Sequence, residues 1–219
     1  MPGILYQKVE DYLYSIIPKR DSILTSIEKD AEKNSVPIIG PLEGRTISII
    51  LSASNAQRAL EIGTATGYSG IWISRALRGK SRKLFTIELD ESRRRKAQRN
   101  FERAGVSKYV EILAGDAMGI VPRLASSQRE SFDLVFLDIG KKSLYVDLLG
   151  DCLKLLKPEG FLIADNTLWN GEVADPESKG EEALTMKKFN KLVFSDGRLD
   201  ATIIPIRDGF TVARKKSNK

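Results

Sequence analysis

Two acidic segments, each at the end of an apolar run, carry the strongest chemical signal in this sequence. Val135-Phe136-Leu137 leads into Asp138, and Ile163-Ala164 leads into Asp165 and Asn166. If both runs are neighbouring parallel strands, two carboxylates and one amide meet at one edge of a sheet. These oxygen donors suit a hard divalent cation, so the three side chains form a candidate Mg²⁺ site, with Ca²⁺ or Mn²⁺ as other candidates. Either acid alone is more often a helix cap.

A lysine lies close to the first of these acids, because Lys141 follows Asp138 by three residues. A partly desolvated lysine beside a metal has a lowered pKa and can act as a general base. The chain has no histidine, which excludes a Ser-His-Asp triad and leaves acid–base chemistry to Asp, Glu, Lys or Tyr. Its single cysteine, Cys152, excludes an internal disulfide, and we predict that it is a buried thiol.

A glycine-containing turn follows the first expected strand, within Glu61–Ser69. Gly63 and Gly67 let the backbone approach a ligand at the carboxyl end of a strand, or alternatively provide only tight packing. The spacing is Glu-x-Gly-x-x-x-Gly, which lacks the Gly-x-Gly-x-x-Gly turn of dinucleotide enzymes. The carboxylate of Glu61 suits a cationic amino-acid or sulfonium ligand better than a diphosphate.

Two further acids follow the next strands. Glu88 comes at the end of the second strand, where a carboxylate can accept hydrogen bonds from both ribose hydroxyls of an adenosine. Asp116 and Ala117 follow the third strand, where they can meet an adenine edge. An N-cap role for Asp116 is nearly as well supported.

The order of elements predicts an α/β fold with a mainly parallel sheet of seven strands and an antiparallel hairpin at its C-terminal end. We predict a single domain over residues 1–219, with N-terminal helices over residues 1–55 and the core over residues 56–219. The expected strands are Ala59–Ile62, Lys83–Ile87, Val110–Leu113, Phe132–Leu137, Gly160–Ala164, Leu199–Pro205 and Phe210–Arg214. The expected helices are Leu5–Ile17, Ser22–Glu32, Glu43–Ser54, Tyr68–Leu77, Ser92–Ala104 and Leu144–Leu155, with Ser22 as a cap and a turn at Lys157–Gly160.

The first helix has an apolar stripe that predicts a lid, an oligomer contact or burial against the protein's own body. The net charge of +6 favours an anionic partner. No apolar run is long enough to span a membrane, and Met1–Lys8 lacks the features of a secretory signal. We therefore expect no membrane partner and a cytoplasmic location.

Taken together, these segments resemble the metal-dependent O-methyltransferases of the catechol and caffeoyl-CoA type, which use S-adenosylmethionine (SAM). The resemblance covers nearly the whole chain, and the Asp-Asn-x-Leu-Trp run is its most specific part. The matching segments are Val36–Pro41, Glu61–Ser69, Thr86–Glu88, Gly115–Ala117, Phe136–Asp138 with Lys141, Asp165–Trp169 with Gly171, and Ile204–Gly209.

The resemblance implies a Rossmann-like methyltransferase fold, often dimeric. It implies that Asp138, Asp165 and Asn166 hold the metal and that Lys141, with Asp138, is catalytic. The residues that the resemblance and the turn chemistry assign to the cofactor are Ile39, Glu61, Gly63, Gly67, Tyr68, Ser69, Glu88, Asp116, Ala117 and Asp138. Family members commonly read Asp-x-x-Lys-x-x-Tyr, whereas here Leu144 follows at the tyrosine position and Tyr145 is displaced by one residue. This departure concerns the lining of the acceptor pocket.

We therefore expect a SAM-dependent and metal-dependent O-methyltransferase for a catechol-like or other small molecule with neighbouring oxygens. A tRNA wobble 5-hydroxyuridine methyltransferase is the main alternative, and the basic charge keeps it open. A non-catalytic adenosine-binding protein is a further alternative. An NAD-dependent oxidoreductase is disfavoured because the dinucleotide glycine pattern and a Tyr-x-x-x-Lys pair are both absent from the sequence.

Overall fold

The structure is a computed structural model that describes residues 6–217. It confirms the α/β fold and the sheet of seven strands, whose order is β3-β2-β1-β4-β5-β7-β6. The strands are β1 Arg58–Ile62, β2 Lys83–Glu88, β3 Val110–Ala114, β4 Phe132–Leu137, β5 Leu156–Asp165, β6 Leu199–Ile204 and β7 Phe210–Lys215. The helices are α1 Gln7–Ile16, α2 Ser22–Lys33, α3 Pro41–Ala53, α4 Tyr68–Ala76, α5 Glu91–Arg103, α6 Ala117–Ser127, α7 Ser143–Leu155 and α8 Glu181–Ser195.

The described chain forms two compact units. The first, Ile17–Ile120, contains β1, β2 and β3, which pair in parallel. The second contains the rest of the described chain, in which β4 and β5 pair in parallel and β7 pairs antiparallel with both β5 and β6. The antiparallel C-terminal hairpin is thus confirmed, whereas the single domain over residues 1–219 stays a prediction.

The strand β5 begins earlier than its sequence indicates. We predicted a turn at Lys157–Gly160, but these residues lie inside the strand Leu156–Asp165. Their turn-like composition reflects an irregularity in the pairing, because the register with β4 shifts between Phe132 and Leu134 and Glu159 has a φ of +66°. A Cβ at Gly160 would lie 3.0 Å from the carbonyl oxygen of Lys157 and 3.1 Å from that of Phe132, so a larger residue would fit only if this backbone shifted by a few tenths of an ångström.

Two helices and one cap were missed or misplaced by the sequence analysis. Helix α6 contains Pro122, which obscures its helical pattern. Helix α8 buries Ala183, Met186, Phe189 and Val193 at helical spacing, a pattern that was available from the sequence. The cap of α2 is Asp21 rather than Ser22, because the carboxylate of Asp21 accepts hydrogen bonds from the backbone amides of Ile23 and Leu24.

Three other expectations concern the first helix, the single cysteine and membrane-spanning segments. The helix expected over Leu5–Ile17 is observed over Gln7–Ile16, and Leu5 lies outside the described residues. Cys152 is buried in α7, which confirms the prediction of a buried thiol. Among residues 6–217, no helix has the length and apolar content needed to cross a membrane.

Candidate active site

The glycine turn after β1 has a backbone conformation that side chains disfavour. Gly63 and Gly67 have φ values of +107° and +85°. A Cβ at Gly67 would lie 2.9 Å from the ring of Phe101, so glycine is needed there both for its conformation and for close packing. The packing interpretation is therefore confirmed for Gly67, and it is compatible with ligand binding along the same turn.

The carboxylate of Glu88 links the end of β2 to this turn. Its Oε2 atom accepts a hydrogen bond from the amide of Ala65 at 2.9 Å, and its Oε1 atom accepts one from the amide of Asp90 at 2.9 Å. These two bonds fix the orientation of a side chain that is 8% exposed. Each carboxylate oxygen has a second lone pair, so Glu88 can still accept hydrogen bonds from a diol.

The side chain of Glu61 is buried under the turn. Its Oε2 atom accepts a hydrogen bond from the hydroxyl of Thr86 at 2.6 Å, and that hydroxyl lies 2.6 Å from the hydroxyl of Thr64. The amides of Gly63 and Thr64 both donate to the carbonyl oxygen of Ile87, at 3.1 and 3.2 Å. The turn is therefore held in its geometry by hydrogen bonds to neighbouring β2.

The other predicted cofactor residues of this unit are mostly buried. Ile39, Ser69 and Ala117 are 2%, 6% and 3% exposed. Asp116 is exposed, and its Oδ1 atom accepts a hydrogen bond from the amide of Met118 at 3.0 Å. This bond shows that Asp116 takes the capping role that the sequence left open, at the start of α6.

Tyr68 belongs to a polar network that the sequence analysis missed. Its hydroxyl donates to Glu28 at 2.6 Å, and Arg20 donates to both oxygens of Glu28, at 2.9 and 2.7 Å. Burial is the main cause that raises the pKa of Tyr68, and the hydrogen bond to Glu28 adds to the effect. Tyr68 is thus a neutral donor that ties α4 to α2. No motif in the sequence indicated this pairing.

In the second unit, the two acidic strand ends meet as predicted. Leu137 of β4 pairs in parallel register with Ala164 of β5, so Asp138 and Asp165 come at equivalent points just beyond this pair. Asp165 is 4% exposed, and Asn166 has a φ of +58° that turns the chain away from the strand. The premise of neighbouring parallel strands is therefore confirmed, while metal binding by these residues stays a prediction.

The lysine that reaches these residues is Lys142, not Lys141. Lys141 is exposed, whereas Lys142 is 5% exposed and its Nζ atom donates to Asn166 Oδ1 at 3.1 Å. Nζ also donates to the hydroxyl of Tyr145 at 2.9 Å. The segment after Asp138 is one residue longer than the Asp-x-x-Lys spacing, and the Lys-x-x-Tyr spacing is kept by Lys142 and Tyr145. Tyr145 is therefore one residue too far from Lys141, but it has the family's usual spacing from Lys142, the lysine that reaches the site.

Tyr145 connects the ends of both strands. Its hydroxyl donates hydrogen bonds to the carbonyl oxygen of Leu137 at 3.2 Å and to that of Asp165 at 3.1 Å. Its ring packs edge-on against Phe189 of α8 at a centroid distance of 5.4 Å. Burial raises the pKa of Tyr145 well above its ordinary value, and nearby Asp138 and Asp165 add to this. Tyr145 is therefore a neutral hydroxyl that fixes the lysine and the strand ends together.

A third carboxylate, Asp208, faces the same lysine. It is 2% exposed, and its Oδ1 atom accepts a hydrogen bond from the amide of Asn170. Its Oδ2 atom is buried and has no hydrogen-bond partner among the described residues. Asp208 lies within the Ile204–Gly209 segment, but no role was predicted for it from the sequence. The only sequence feature that could have drawn attention to Asp208 is its position directly before Gly209 in a tight turn.

The burial of this cluster shifts the pKa values of its members. Desolvation raises the pKa of Asp138, and the positive charges of Lys142 and Arg207 oppose that shift. Desolvation lowers the pKa of Lys142, and Asp138, Asp165 and Asp208 oppose it. Desolvation also raises the pKa of Asp208. A lysine and carboxylates whose pKa values are shifted toward each other are suited to proton transfer.

The donor set of this cluster fits a hard cation. It offers carboxylates from two strand ends and the amide oxygen of Asn166, and it contains the unsatisfied, buried Oδ2 atom of Asp208. Within residues 6–217, no group of three or more His, Cys, Asp or Glu side chains is arranged to hold a metal ion. A divalent ion in this cluster therefore depends on the amide of Asn166 as a ligand.

A parallel sheet with an antiparallel C-terminal hairpin and these strand-end acids define a Rossmann-like α/β enzyme. The model of the O-methyltransferase family matches residues 17–216, so the chain belongs to this family. A catechol O-methyltransferase from Niastella koreensis is 30% identical over 206 residues, covering 93% of this chain and 92% of the relative. A caffeoyl-CoA O-methyltransferase from Stellaria longipes is 28% identical, covering 92% of this chain and 86% of the relative.

A solved structure of the same kind is also similar. It is the O-methyltransferase TomG from Streptomyces achromogenes, involved in tomaymycin synthesis and solved in complex with SAM. The two chains superpose with a TM-score of 0.85 and 29% sequence identity, covering 96% of each. The Rossmann-like fold and the family predicted from the sequence are thus confirmed.

Proposed function

We propose that this protein transfers the methyl group of SAM to one hydroxyl of a small molecule with two neighbouring oxygens, and that a divalent cation assists. The observation that carries the proposal is the buried Lys142, whose Nζ atom lies 3.1 Å from Asn166 Oδ1 and faces Asp138 and Asp165. Such a cluster can bind an acceptor hydroxyl, compensate its negative charge and take its proton. The catechol O-methyltransferase relative and the SAM complex of TomG support the same reaction.

The first unit supplies the residues for the methyl donor. SAM provides an electrophilic methyl group on a sulfonium. Glu88 accepts hydrogen bonds from the ribose hydroxyls, and its bonds to Ala65 and Asp90 orient it for this. The turn at Gly63 and Gly67 brings the backbone close to the amino-acid part, beside the other predicted cofactor residues Ile39, Glu61, Tyr68, Ser69, Asp116 and Ala117. These contacts orient SAM, the methyl donor, and none of these residues forms a covalent bond in the reaction.

The second unit supplies the residues for the acceptor. Asp138, Asp165 and Asn166 would hold Mg²⁺ or a similar ion, which lowers the pKa of a bound hydroxyl. Lys142 replaces Lys141 as the general base, and it takes the hydroxyl proton at its Nζ atom. Tyr145 holds Nζ toward the strand ends through its hydroxyl. Proton removal leaves an oxyanion, which attacks the methyl carbon as the carbon–sulfur bond breaks.

The test is a methyl-transfer assay with SAM and a panel of catechols and hydroxycinnamoyl thioesters. We expect a monomethylated product from at least one acceptor and none from the matching compound with a single hydroxyl. We expect excess chelator to reduce the rate and added Mg²⁺ to restore it. Full activity in chelator would refute the role of the metal. Tight binding of S-adenosylhomocysteine without transfer to any hydroxyl would favour the non-catalytic adenosine-binding alternative.

The tRNA alternative is favoured by one surface of the first unit. Arg94, Arg95 and Arg99 of α5 line a cavity of about 460 Å³ together with Gln98, Ile112 and Ala114. Arginines on one helix face can contact phosphates. We expect tRNA, if it is the acceptor, to bind with an affinity that falls between 50 and 200 mM salt by on the order of tenfold to a hundredfold, as three phosphate contacts would give. Methylation of a catechol combined with no tRNA binding would exclude it.

A further inference from the structure

Helix α2 is tied by polar side chains to the glycine turn of the first unit. The helix buries Leu24, Ile27 and Ala31 on one face. Glu28 lies one helical turn after Leu24, so its carboxylate leaves the helix at the edge of this face. Its side chain is 20% exposed, and it is therefore a half-buried charge in contact with the protein rather than a solvated surface acid.

The first connection ends at Tyr68, the residue that follows Gly67. The Oε1 atom of Glu28 accepts a hydrogen bond from the hydroxyl of Tyr68 at 2.6 Å. Arg20 holds the same carboxylate, because it donates to Oε1 at 2.9 Å and to Oε2 at 2.7 Å. The ring of Tyr68 is 1% exposed and packs edge-on against Trp72 at a centroid distance of 6.4 Å. Since the ring is packed and its hydroxyl is bonded, the position of the Tyr68 backbone follows that of Glu28.

The second connection ends at Thr66, the residue before Gly67. The hydroxyl of Ser26 in α2 accepts a hydrogen bond from Arg103 at 2.8 Å, and Arg103 also donates to Oδ1 of Asn100 at 3.1 Å. The Nδ2 atom of Asn100 in turn donates to the carbonyl oxygen of Thr66 at 2.9 Å. Asn100 is 5% exposed, so this chain of hydrogen bonds runs into the core. Helix α2 is thus connected to the turn on both sides of Gly67.

The position of Tyr68 matters for a ligand because α4 begins there, with Gly67 as its cap. The first amides of a helix have no acceptor within the helix, and they carry the positive end of its dipole. They therefore attract a carboxylate. SAM carries a carboxylate on its methionine part and none on its nucleoside part. A small rotation of the start of α4 would weaken contacts with the methionine part and leave those of the ribose with Glu88 in place.

We propose that Glu28 is a positioning residue for SAM, which holds the hydroxyl of Tyr68, and through it the start of α4, in the orientation that receives the methionine carboxylate. Glu28 acts through Tyr68 and not by contact with the cofactor. Arg20 fixes the carboxylate of Glu28 for this role. The proposal rests on the proposed function in one point, which is that the methionine part of SAM binds at this turn.

The test compares S-adenosylhomocysteine with 5′-methylthioadenosine, which lacks the amino-acid part. Calorimetry measures the Kd of each ligand for the wild-type protein, E28A and Y68F. We expect both variants to raise the Kd of S-adenosylhomocysteine about threefold to tenfold, as the loss of one hydrogen bond would, and to leave that of 5′-methylthioadenosine unchanged. An equal rise for both ligands would indicate a general loosening of the unit and would overturn the proposal. An unchanged Kd of S-adenosylhomocysteine for Y68F would overturn it as well.

The matched control is D30N. Asp30 lies on the same helix and pairs with Lys96 of α5, a residue outside the glycine turn. We expect D30N to keep the Kd of both ligands within about twofold of the wild-type values, since a partly exposed ion pair contributes little. A loss of S-adenosylhomocysteine affinity in D30N as large as in E28A would mean that any weakening of α2 has this effect, and the specific role of Glu28 would be refuted.

The double variant E28A/Y68F tests whether the two residues act through one bond. If they do, its Kd for S-adenosylhomocysteine should be no higher than that of E28A, because the second substitution removes nothing further. Effects that multiply would mean that Glu28 and Tyr68 act independently, contrary to the proposal. Phenylalanine keeps the ring packing of Tyr68 and removes only the hydroxyl, so Y68F carries the test if E28A does not fold.

These results are distinguishable from the test of the proposed function. A selective loss of S-adenosylhomocysteine affinity in Y68F, without methyl transfer by the wild-type protein to any hydroxyl, would remove the proposed function and leave Glu28 as a positioning residue for the cofactor. Methyl transfer by a Y68F protein with unchanged S-adenosylhomocysteine affinity would remove the inference alone. In an active enzyme, Y68F should raise the KM for SAM and keep kcat at saturating SAM, and the reverse pattern would contradict the inference.

Discussion

At the scale of single residues, Lys142 is the side chain on which the proposed proton transfer depends. We expect K142A to lower kcat by about a hundredfold to a thousandfold, because a positioned general base contributes about that much. Its effect on the Kd of S-adenosylhomocysteine should be small, since the cofactor residues lie on other elements. Initial rates with the best acceptor measure the first, and calorimetry measures the second.

The matched control is K141A, which removes an exposed lysine from the neighbouring position. It should keep most of the activity of the wild type. If K141A lost as much activity as K142A, or more, then Lys141 would be the base as the sequence first indicated, and the position of Lys142 would be only structural.

Glu88 provides the second prediction at this scale. E88Q keeps the shape of the side chain but replaces a charged acceptor, so we expect the Kd of S-adenosylhomocysteine to rise about tenfold to a hundredfold. The control is E91Q, which affects an exposed residue that pairs with Arg95 on the surface of α5. Calorimetry of both variants checks this. An unchanged Kd for E88Q would remove Glu88 from the cofactor site.

At the scale of elements, the turn between β1 and α4 depends on Gly67. G67A places a Cβ where the φ is +85° and the ring of Phe101 is 2.9 Å away, so we expect about 1–3 kcal/mol of destabilisation. G150A is the matched control inside α7, because nothing lies within 4 Å of its new Cβ. That variant should gain about 0.5–1 kcal/mol. Denaturant unfolding of both variants is the measurement, and equal effects would contradict the packing argument.

Most elements were predictable because their signals are local. Strands such as Phe132–Leu137 are short apolar runs, and the hairpin is marked by its turn at Arg207–Gly209. The strand β5 and the helix α6 were harder, because a pairing irregularity and Pro122 interrupt their patterns. In both cases the neighbouring elements stabilise a regular structure that the local sequence does not favour by itself.

At the scale of the whole molecule, helix α1 leaves an apolar face uncovered. Val9, Tyr12 and Ile16 are 47%, 62% and 57% exposed and lie on one face of the helix. The resemblance to the family implies a dimer, and a second copy of the chain would cover such a face. We expect the wild-type protein to be a dimer in light scattering at micromolar concentration.

The double variant Y12E/I16E should shift this equilibrium toward the monomer, because two carboxylates would be buried in the interface. Q7E is a control on the same helix, since Gln7 is exposed and lies on the side opposite the apolar face. A wild-type protein that is monomeric at all concentrations would exclude the homodimer, and the exposed face would then need another partner.

Most strands, the glycine turn and the acids at the strand ends were predictable from the order of residues alone, because they depend on short-range patterns that repeat in parallel sheets. Which lysine enters the cluster became known only from the folded chain, because the directions of the Lys141 and Lys142 side chains depend on where α7 begins relative to Asp138. The contacts of Asp208 and Glu28 were likewise beyond the sequence. Each joins residues that are far apart in the chain, and their pairing follows from how the elements pack.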